Sequence, residues 1–227
     1  LNTVLPEDVL HVVPGTGQRV GQPLAGHPKV RLVSFTGSTG AGAAVARTAA
    51  KNITPAVLEL GGKDALVVFD DADLDRAVKI ALEGAFYNKG EACTATSRIL
   101  VQAGVYDRFV ARLTAAVGKL KVGRGTDPAV HVGPVVTKTQ QQRVLDYIQI
   151  GIDEGATLAA QAALPADPEL KDGFWVAPTL FTDVTRDMRI VREEIFGPVV
   201  TVTRFSDEDE AVSIVNESEY GLTAAVY

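Results

Sequence analysis

The stretch VRLVSFTGSTGAGAAVARTAA, Val30 to Ala50, changes its period in mid-course. Its first six residues are rich in β-branched and apolar side chains, the reading of a strand. A cluster of Gly, Ser and Thr then breaks the run, and the Ala-rich remainder reads as a helix. Strand, tight turn and helix in that order are the unit of an α/β fold. The free N–H groups at the helix start, flanked by glycines, suit a phosphate or pyrophosphate. The same small residues also suit a turn that merely lets helix and strand pack, and the spacing is not G-x-G-x-x-G.

The rest of the chain repeats the alternation. Strand patterns fall at Val30 to Phe35, Ala65 to Phe69, Arg98 to Val101, Trp175 to Leu180, Val199 to Phe205 and Leu222 to Val226. Helical patterns lie between them. In Asp73 to Phe86, Leu74, Ala77, Val78, Ala81, Leu82 and Ala85 form one apolar stripe behind an acidic DDAD start. Three more helices read as Tyr106 to Val117, Thr137 to Asp153 and Glu208 to Asn216, while QAALPADPELKDG is a polar connection. This pattern predicts an α/β fold with a mostly parallel sheet flanked by helices. The chain begins LNTVLPEDVL without Met and stops within the alternating run ending at Tyr227, so a piece of a longer protein is expected.

With 46% hydrophobic residues the 227-residue chain has enough apolar surface for one large core or two small ones. A net charge of −6, with basic residues scattered, gives no footprint for nucleic acid or an anionic membrane, and a small-molecule partner is expected instead. One cysteine cannot form an internal disulfide, and no run of about 18 apolar residues appears. A soluble, cytoplasmic protein is expected. Three isolated histidines and one cysteine supply no metal-ligand cluster.

Two further stretches carry candidate chemistry. In VLELGGKDALVVF, Glu59 follows apolar residues and precedes two glycines that must bend or approach another backbone. Partial burial there would raise its pKa toward the range of a general base, and an ion-paired acid at a strand end is the plain alternative. In NKGEACTATSR the single cysteine, Cys93, sits among small and polar residues, a turn facing a cleft. A thiol in such a turn, near backbone N–H groups, is placed to attack an electrophile, whereas most free cysteines are small buried apolar side chains.

LELGGK, then NKGEACTATSR with Cys93 34 residues after Glu59, then EEIFGPV, together resemble the aldehyde dehydrogenase superfamily. The likeness extends from HVVPGTG and SFTGSTGAG to EYGLTAAVY, nearly the whole chain. It implies the three-layer fold of that family, with residues 1–60 ending a Rossmann-like dinucleotide-binding domain and residues 61–227 forming most of a catalytic domain. It also implies that Cys93 is the nucleophile, Glu59 the general base, and NAD or NADP the cofactor. Gly37 and Ser38 would lie near the pyrophosphate, Gly17 and Gly21 around the adenine side, Leu60 beside the carboxamide, Glu194 on the nicotinamide ribose and Phe196 against its ring. On their own, Glu194 reads equally as half of a surface acid pair and Phe196 as core filling. The substrate would be an aldehyde, and the complete protein a homo-oligomer. An acylating, coenzyme A-dependent relative is the alternative enzyme, against which Glu59 argues; a non-catalytic interaction module is the alternative outside enzymes. Glu91 stands where many members of the family carry glutamine, and as a turn residue it is expected to point to solvent.

Overall fold

The computed structural model describes residues 4–227. The chain divides into two compact units, Leu1–Gly61 and Gly62–Tyr227.

In the first unit a single π-helical turn, Gly17–Gly21, leads directly into α1 (Gln22–Ala25). The strand β1 (Val33–Thr36), helix α2 (Thr39–Ala50) and strand β2 (Ala56–Glu59) follow. The two strands pair in parallel with Val33 opposite Ala56 and Thr36 opposite Glu59. Strand β1 starts three residues later than its apolar run suggests, because the Val30 N–H is spent on a turn to the His27 carbonyl. Helix α2 begins where a serine can cap it: Ser38 has extended φ and ψ, and its Oγ accepts the Ala41 N–H at 3.3 Å.

The second unit carries a six-stranded sheet in the order β5-β6-β7-β4-β3-β8. Its strands are β3 (Ala65–Val68), β4 (Arg98–Gln102), β5 (Thr157–Gln161), β6 (Thr179–Thr182), β7 (Val199–Phe205) and β8 (Ala224–Val226). All neighbours are parallel except β5, which runs antiparallel to β6. Alternate residues of the central strands serve two cores, which is why those strands are nearly continuous hydrophobic runs. On one face Leu66, Val68, Ile99 and Val101 meet α3 (Leu74–Phe86) and α4 (Tyr106–Val117). On the other, Ala65, Val67, Leu100 and Phe205 meet α7 (Glu208–Asn216). Phe181 and Val199 pack on that same side against α5 (Lys138–Asp153) and the single-turn α6 (Arg189–Arg192). Three layers result, as the family resemblance implies.

Two further strand starts differ from expectation for a hydrogen-bonding reason, and one strand was not expected. Strand β6 starts at Thr179 rather than Trp175, since Pro178 has no N–H to give a ladder. Strand β8 starts at Ala224, because the Thr223 N–H goes to the Asp64 carboxylate at 2.9 Å. Strand β5 was not expected at all: as an antiparallel edge strand it is largely open to solvent and lacks an apolar run. Between β5 and β6, Gly173 lies against the indole of Trp175, whose Nε1 donates to the Leu170 carbonyl at 2.5 Å. Among the described residues no helix is long and apolar enough to cross a membrane.

Phe109, fully buried on α4, closes the first of these cores. Phe109→Ala should lower the unfolding free energy by about 3–5 kcal/mol in urea titrations, the usual cost of emptying an aromatic site. A loss under about 1 kcal/mol would mean that α4 does not seal this face.

Candidate functional site

In the first unit Gly37 and Ser38 occupy the β1–α2 turn beside the end of β2. The Gly37 N–H donates to the Glu59 carbonyl at 3.0 Å, so the turn and the candidate base are brought together. A side chain at residue 37 would strike the Phe35 ring, with a Cβ only 2.6 Å from its Cζ. Glu59 itself is exposed, contrary to the partial burial considered from its apolar neighbours. A two-stranded sheet leaves alternate residues open, and Glu59 falls on an open position. Leu60 folds over α2, where a Cβ on Gly42 would meet it at 2.4 Å. Gly17 and Gly21 lie elsewhere in this unit, in a groove of about 1170 Å³ shared with Leu24, Val33, Ser34 and Arg47.

In the second unit the residues of interest gather at the amino ends of parallel strands. Gly62 to Asp64 lead into β3, the Cys93 turn into β4, Glu194 to Pro198 into β7, and Tyr220 to Thr223 into β8. Cys93 is half-buried in a turn closed by the Ala95 N–H to the Ala92 carbonyl at 3.1 Å. Its own N–H has no protein partner among the described residues. Gly62 joins this turn to Glu194. Its N–H donates to Glu194 Oε1 at 3.1 Å, and a Cβ at this position would sit 2.2 Å from the Cys93 carbonyl oxygen. The second glycine of LELGGK therefore makes the close backbone approach that its sequence suggests.

Glu194 and Phe196 are set in place by α5. Arg143 Nη2 donates to the Glu194 carbonyl at 2.6 Å, Arg143 Nε and Gln140 Nε2 to that of Ile195, and Gln140 Nε2 to that of Phe196 at 2.6 Å. Phe196 has φ of 61°, a backbone conformation costly for an aromatic residue, and its ring stays exposed rather than filling the core. Glu193 and Glu194 are not a surface acid pair. Glu193 is held by Arg189 and by the Tyr147 hydroxyl, which together bring its pKa down to about 2.

Beneath Gly62 lies a buried charged cluster that sequence reasoning missed. Lys63 Nζ donates to the Ile190 carbonyl at 2.8 Å, and burial, aided by nearby Arg98, lowers its pKa to about 7. The Arg98 guanidinium bonds the carbonyls of Lys63, Ile214 and Val215. Asp64 Oδ1 accepts from Thr223, its Oδ2 is buried without a partner, and burial pushes this carboxyl above the usual carboxylate range. The available signal was a Lys-Asp pair wedged between two glycines and a hydrophobic strand, where charges are rarely tolerated without a partner.

Glu91 is a correction. It is buried, not directed to solvent: Oε1 accepts the Val136 N–H at 3.2 Å and Oε2 lies 3.2 Å from Lys89 Nζ. The turn folds back on itself because Asn88, Lys89 and Gly90 all have positive φ, which carries the Glu91 side chain inward.

A chain with a three-layer sheet unit, a cysteine turn, and an acidic strand end beside a glycine turn has close counterparts. The aldehyde dehydrogenase family model matches residues 2–227, and the chain belongs to that family. It is 60% identical over its full length to an aldehyde dehydrogenase of Didymella fabae, covering 46% of that protein. It is 42% identical to the betaine aldehyde dehydrogenase of Bacillus subtilis, over 98% of this chain and 46% of the relative. The crystal structure of Staphylococcus aureus betaine aldehyde dehydrogenase in complex with NAD+ superposes with a TM-score of 0.90 at 44% identity, covering 94% of this chain and 42% of that one. The fold is therefore the aldehyde dehydrogenase fold, and the chain spans about half the length of the curated relatives it matches.

Lys63 supplies a pH test of the cluster. Its folded pKa of about 7 lies below the unfolded value of 10.5, so between these limits the unfolded chain holds the extra proton. Stability conferred at this position therefore rises with pH above about 7, and below it the cost of burying the charge is borne in full. Measured against Lys63→Met, the wild-type chain should gain up to about 1.4 kcal/mol per pH unit between pH 7 and 10. A flat difference would mean that the ammonium stays charged in the fold.

Proposed function

We propose that the protein carrying this chain oxidises an aldehyde to a carboxylic acid with NAD or NADP, using Cys93 as nucleophile and Glu59 as general base. One observation carries the reading: Gly62 links the turn of the only cysteine directly to the Glu194 carboxylate. A reactive thiol and a hydroxyl-binding carboxylate are thus fixed to one another within the second unit.

The residues present suit a dinucleotide. Helix α2 starts with N–H groups that point out of a glycine turn, and Gly40 has open space where a side chain would stand, so Gly37 and Ser38 can receive a pyrophosphate. The groove lined by Gly17 and Gly21 suits a flat, largely apolar base. Glu194 keeps Oε2 free of protein partners among the described residues, an acceptor for ribose hydroxyls. Phe196 offers an exposed aromatic face to a nicotinamide. Leu60 is proposed for the carboxamide. Residues 1–60 would then belong to the cofactor domain and residues 61–227 to the catalytic domain.

The chemistry of the chain's own residues follows. The Cys93 thiolate adds to the aldehyde carbon, and the free Cys93 N–H donates to the oxygen that gains charge. A bound NAD(P) supplies the acceptor for the hydride whose loss turns the thiohemiacetal on Cys93 into a thioester. Glu59 takes a proton from water, the resulting nucleophile attacks the thioester carbon, and the carboxylic acid leaves as the thiol is restored. The exposed position of Glu59 gives it ready access to that water. An acylating enzyme would pass the acyl group to a thiol and has no need of this base. We further propose a homo-oligomeric, cytoplasmic protein.

In the protein that carries the chain, Cys93→Ala should reduce aldehyde-dependent cofactor reduction below about 1% of wild type while nucleotide binding persists. Retained turnover would reduce Cys93 to a structural residue. Glu59→Gln should give a burst of reduced cofactor followed by slow release of acid, with an acyl adduct on Cys93 detected by rapid-quench mass spectrometry. Wild-type turnover in that variant would assign the base to another group, and strong acceleration by coenzyme A would favour the acylating chemistry.

A further inference from the structure

The turn that presents Cys93 is held in an improbable conformation. Asn88 (φ 47°), Lys89 (φ 65°) and Gly90 (φ 68°) lie in succession in the left-handed region, where only glycine sits without strain. Such a conformation persists only when its surroundings over-determine it. Here Asn88 Nδ2 donates to the Glu91 carbonyl at 2.9 Å, and Lys89 Nζ donates to Asn88 Oδ1 at 2.8 Å. The same ammonium lies 3.2 Å from Glu91 Oε2, while Glu91 Oε1 accepts the Val136 N–H from outside the turn. Gly90 is pressed against Gly197, whose carbonyl oxygen would be 2.3 Å from any Cβ. The Lys89 and Glu91 side chains are 21% and 5% exposed. Surface ion pairs matter little, but this one is largely withdrawn from solvent, so either charge left alone would be weakly screened.

We propose that Lys89 and Glu91 are positioning residues for Cys93, an ion pair that locks the strained turn and cancels the field which either charge alone would impose on the thiol. The inference rests on the nucleophile reading of Cys93. One residue, Ala92, separates Glu91 from Cys93, so their Cα atoms lie within about 7 Å of each other. At that range an uncompensated charge shifts a thiol titration by about half a pH unit or more. Without Lys89 the lone Glu91 carboxylate disfavours the thiolate; without the carboxylate the lone ammonium favours it. The opposite signs separate a charge pair from a merely structural contact, whose loss would disturb the thiol in the same sense from either side. Asp64 and Glu194, the charged groups that meet Gly62 beside the turn, are common to every variant.

The experiment follows the rate of iodoacetamide labelling of Cys93 against pH in the protein that carries the chain, for Glu91→Gln, Lys89→Gln, the double variant and Lys89→Arg. The labelling midpoint is expected to fall in Glu91→Gln and to rise in Lys89→Gln, the two lying at least about one pH unit apart. The double variant and Lys89→Arg should return to the wild-type midpoint, because each is neutral as a pair. Midpoints of the single variants less than about half a unit apart, or displaced in the same direction, overturn the proposal. Should Lys89→Gln not fold, the downward shift of Glu91→Gln relative to wild type and Lys89→Arg decides. Full turnover in Cys93→Ala would remove the nucleophile reading yet leave these midpoints to test the pair itself.

Discussion

Gly62 is the point on which the second unit turns. Its N–H holds Glu194, and its missing side chain lets the Cys93 carbonyl come closer than any Cβ permits. Backbone approaches of this kind are all-or-none, since a side chain of even one carbon must push two segments apart. Gly90 against Gly197 repeats the arrangement on the other side of the cysteine turn, and Gly197 in turn lies against Val144 of α5. The Cys93 turn is therefore located by close main-chain approaches, and Glu194 and Phe196 by these together with the Arg143 and Gln140 side chains of α5. The side chains of Cys93, Glu194 and Phe196 are left available.

Charge is used beneath this backbone layer in an unusual way. Lys63, Asp64 and Arg98 are buried at the amino ends of β3 and β4. Arg98 spends its hydrogen bonds on three main-chain carbonyls, tying the segment before β3 to the end of α7. Lys63 reaches the α6 carbonyl of Ile190, a short step before Glu194. Neither cation is matched by a bidentate carboxylate, so both act as cross-braces for carbonyl groups of α6, of the end of α7 and of the segment before β3. Burial lowers the Lys63 pKa to about 7, which records the cost of this bracing. Ligand sites of open α/β sheets lie at the carboxyl ends of the strands, whereas here the candidate residues sit at the amino edge and need such support.

Much of this was legible before any coordinates. Helices α3, α4 and α7 follow their apolar stripes closely, as do strands β3, β4 and β7, because each is buried on a continuous face. Where a different force governs, the pattern fails. Strand β5 escapes because an edge strand needs no hydrophobic run, and the four-residue helices α1 and α6 are too short to have a period. Motif resemblance singled out Cys93, Glu194 and Phe196, which the structure brings to neighbouring segments of the second unit, and the logic of paired glycines gave the close approach at Gly62. Glu91 was misjudged for burial, and the partial burial weighed for Glu59 does not occur, since exposure depends on how many strands flank a position and on how a turn winds. The roles of Gln140 and Arg143 left no trace, because a side chain donating to a distant carbonyl has no sequence partner to reveal it.

The lone tryptophan gives the molecule an optical asymmetry. Trp175 belongs to the second unit, clamped by Gly173 and by the Leu170 carbonyl in the connection before β6. Its emission therefore arises within the unit that contains Cys93. The far-ultraviolet circular dichroism, by contrast, sums the helices and strands of both units. Comparing the two spectroscopies on a single sample separates the unfolding of one unit from that of the other without any label.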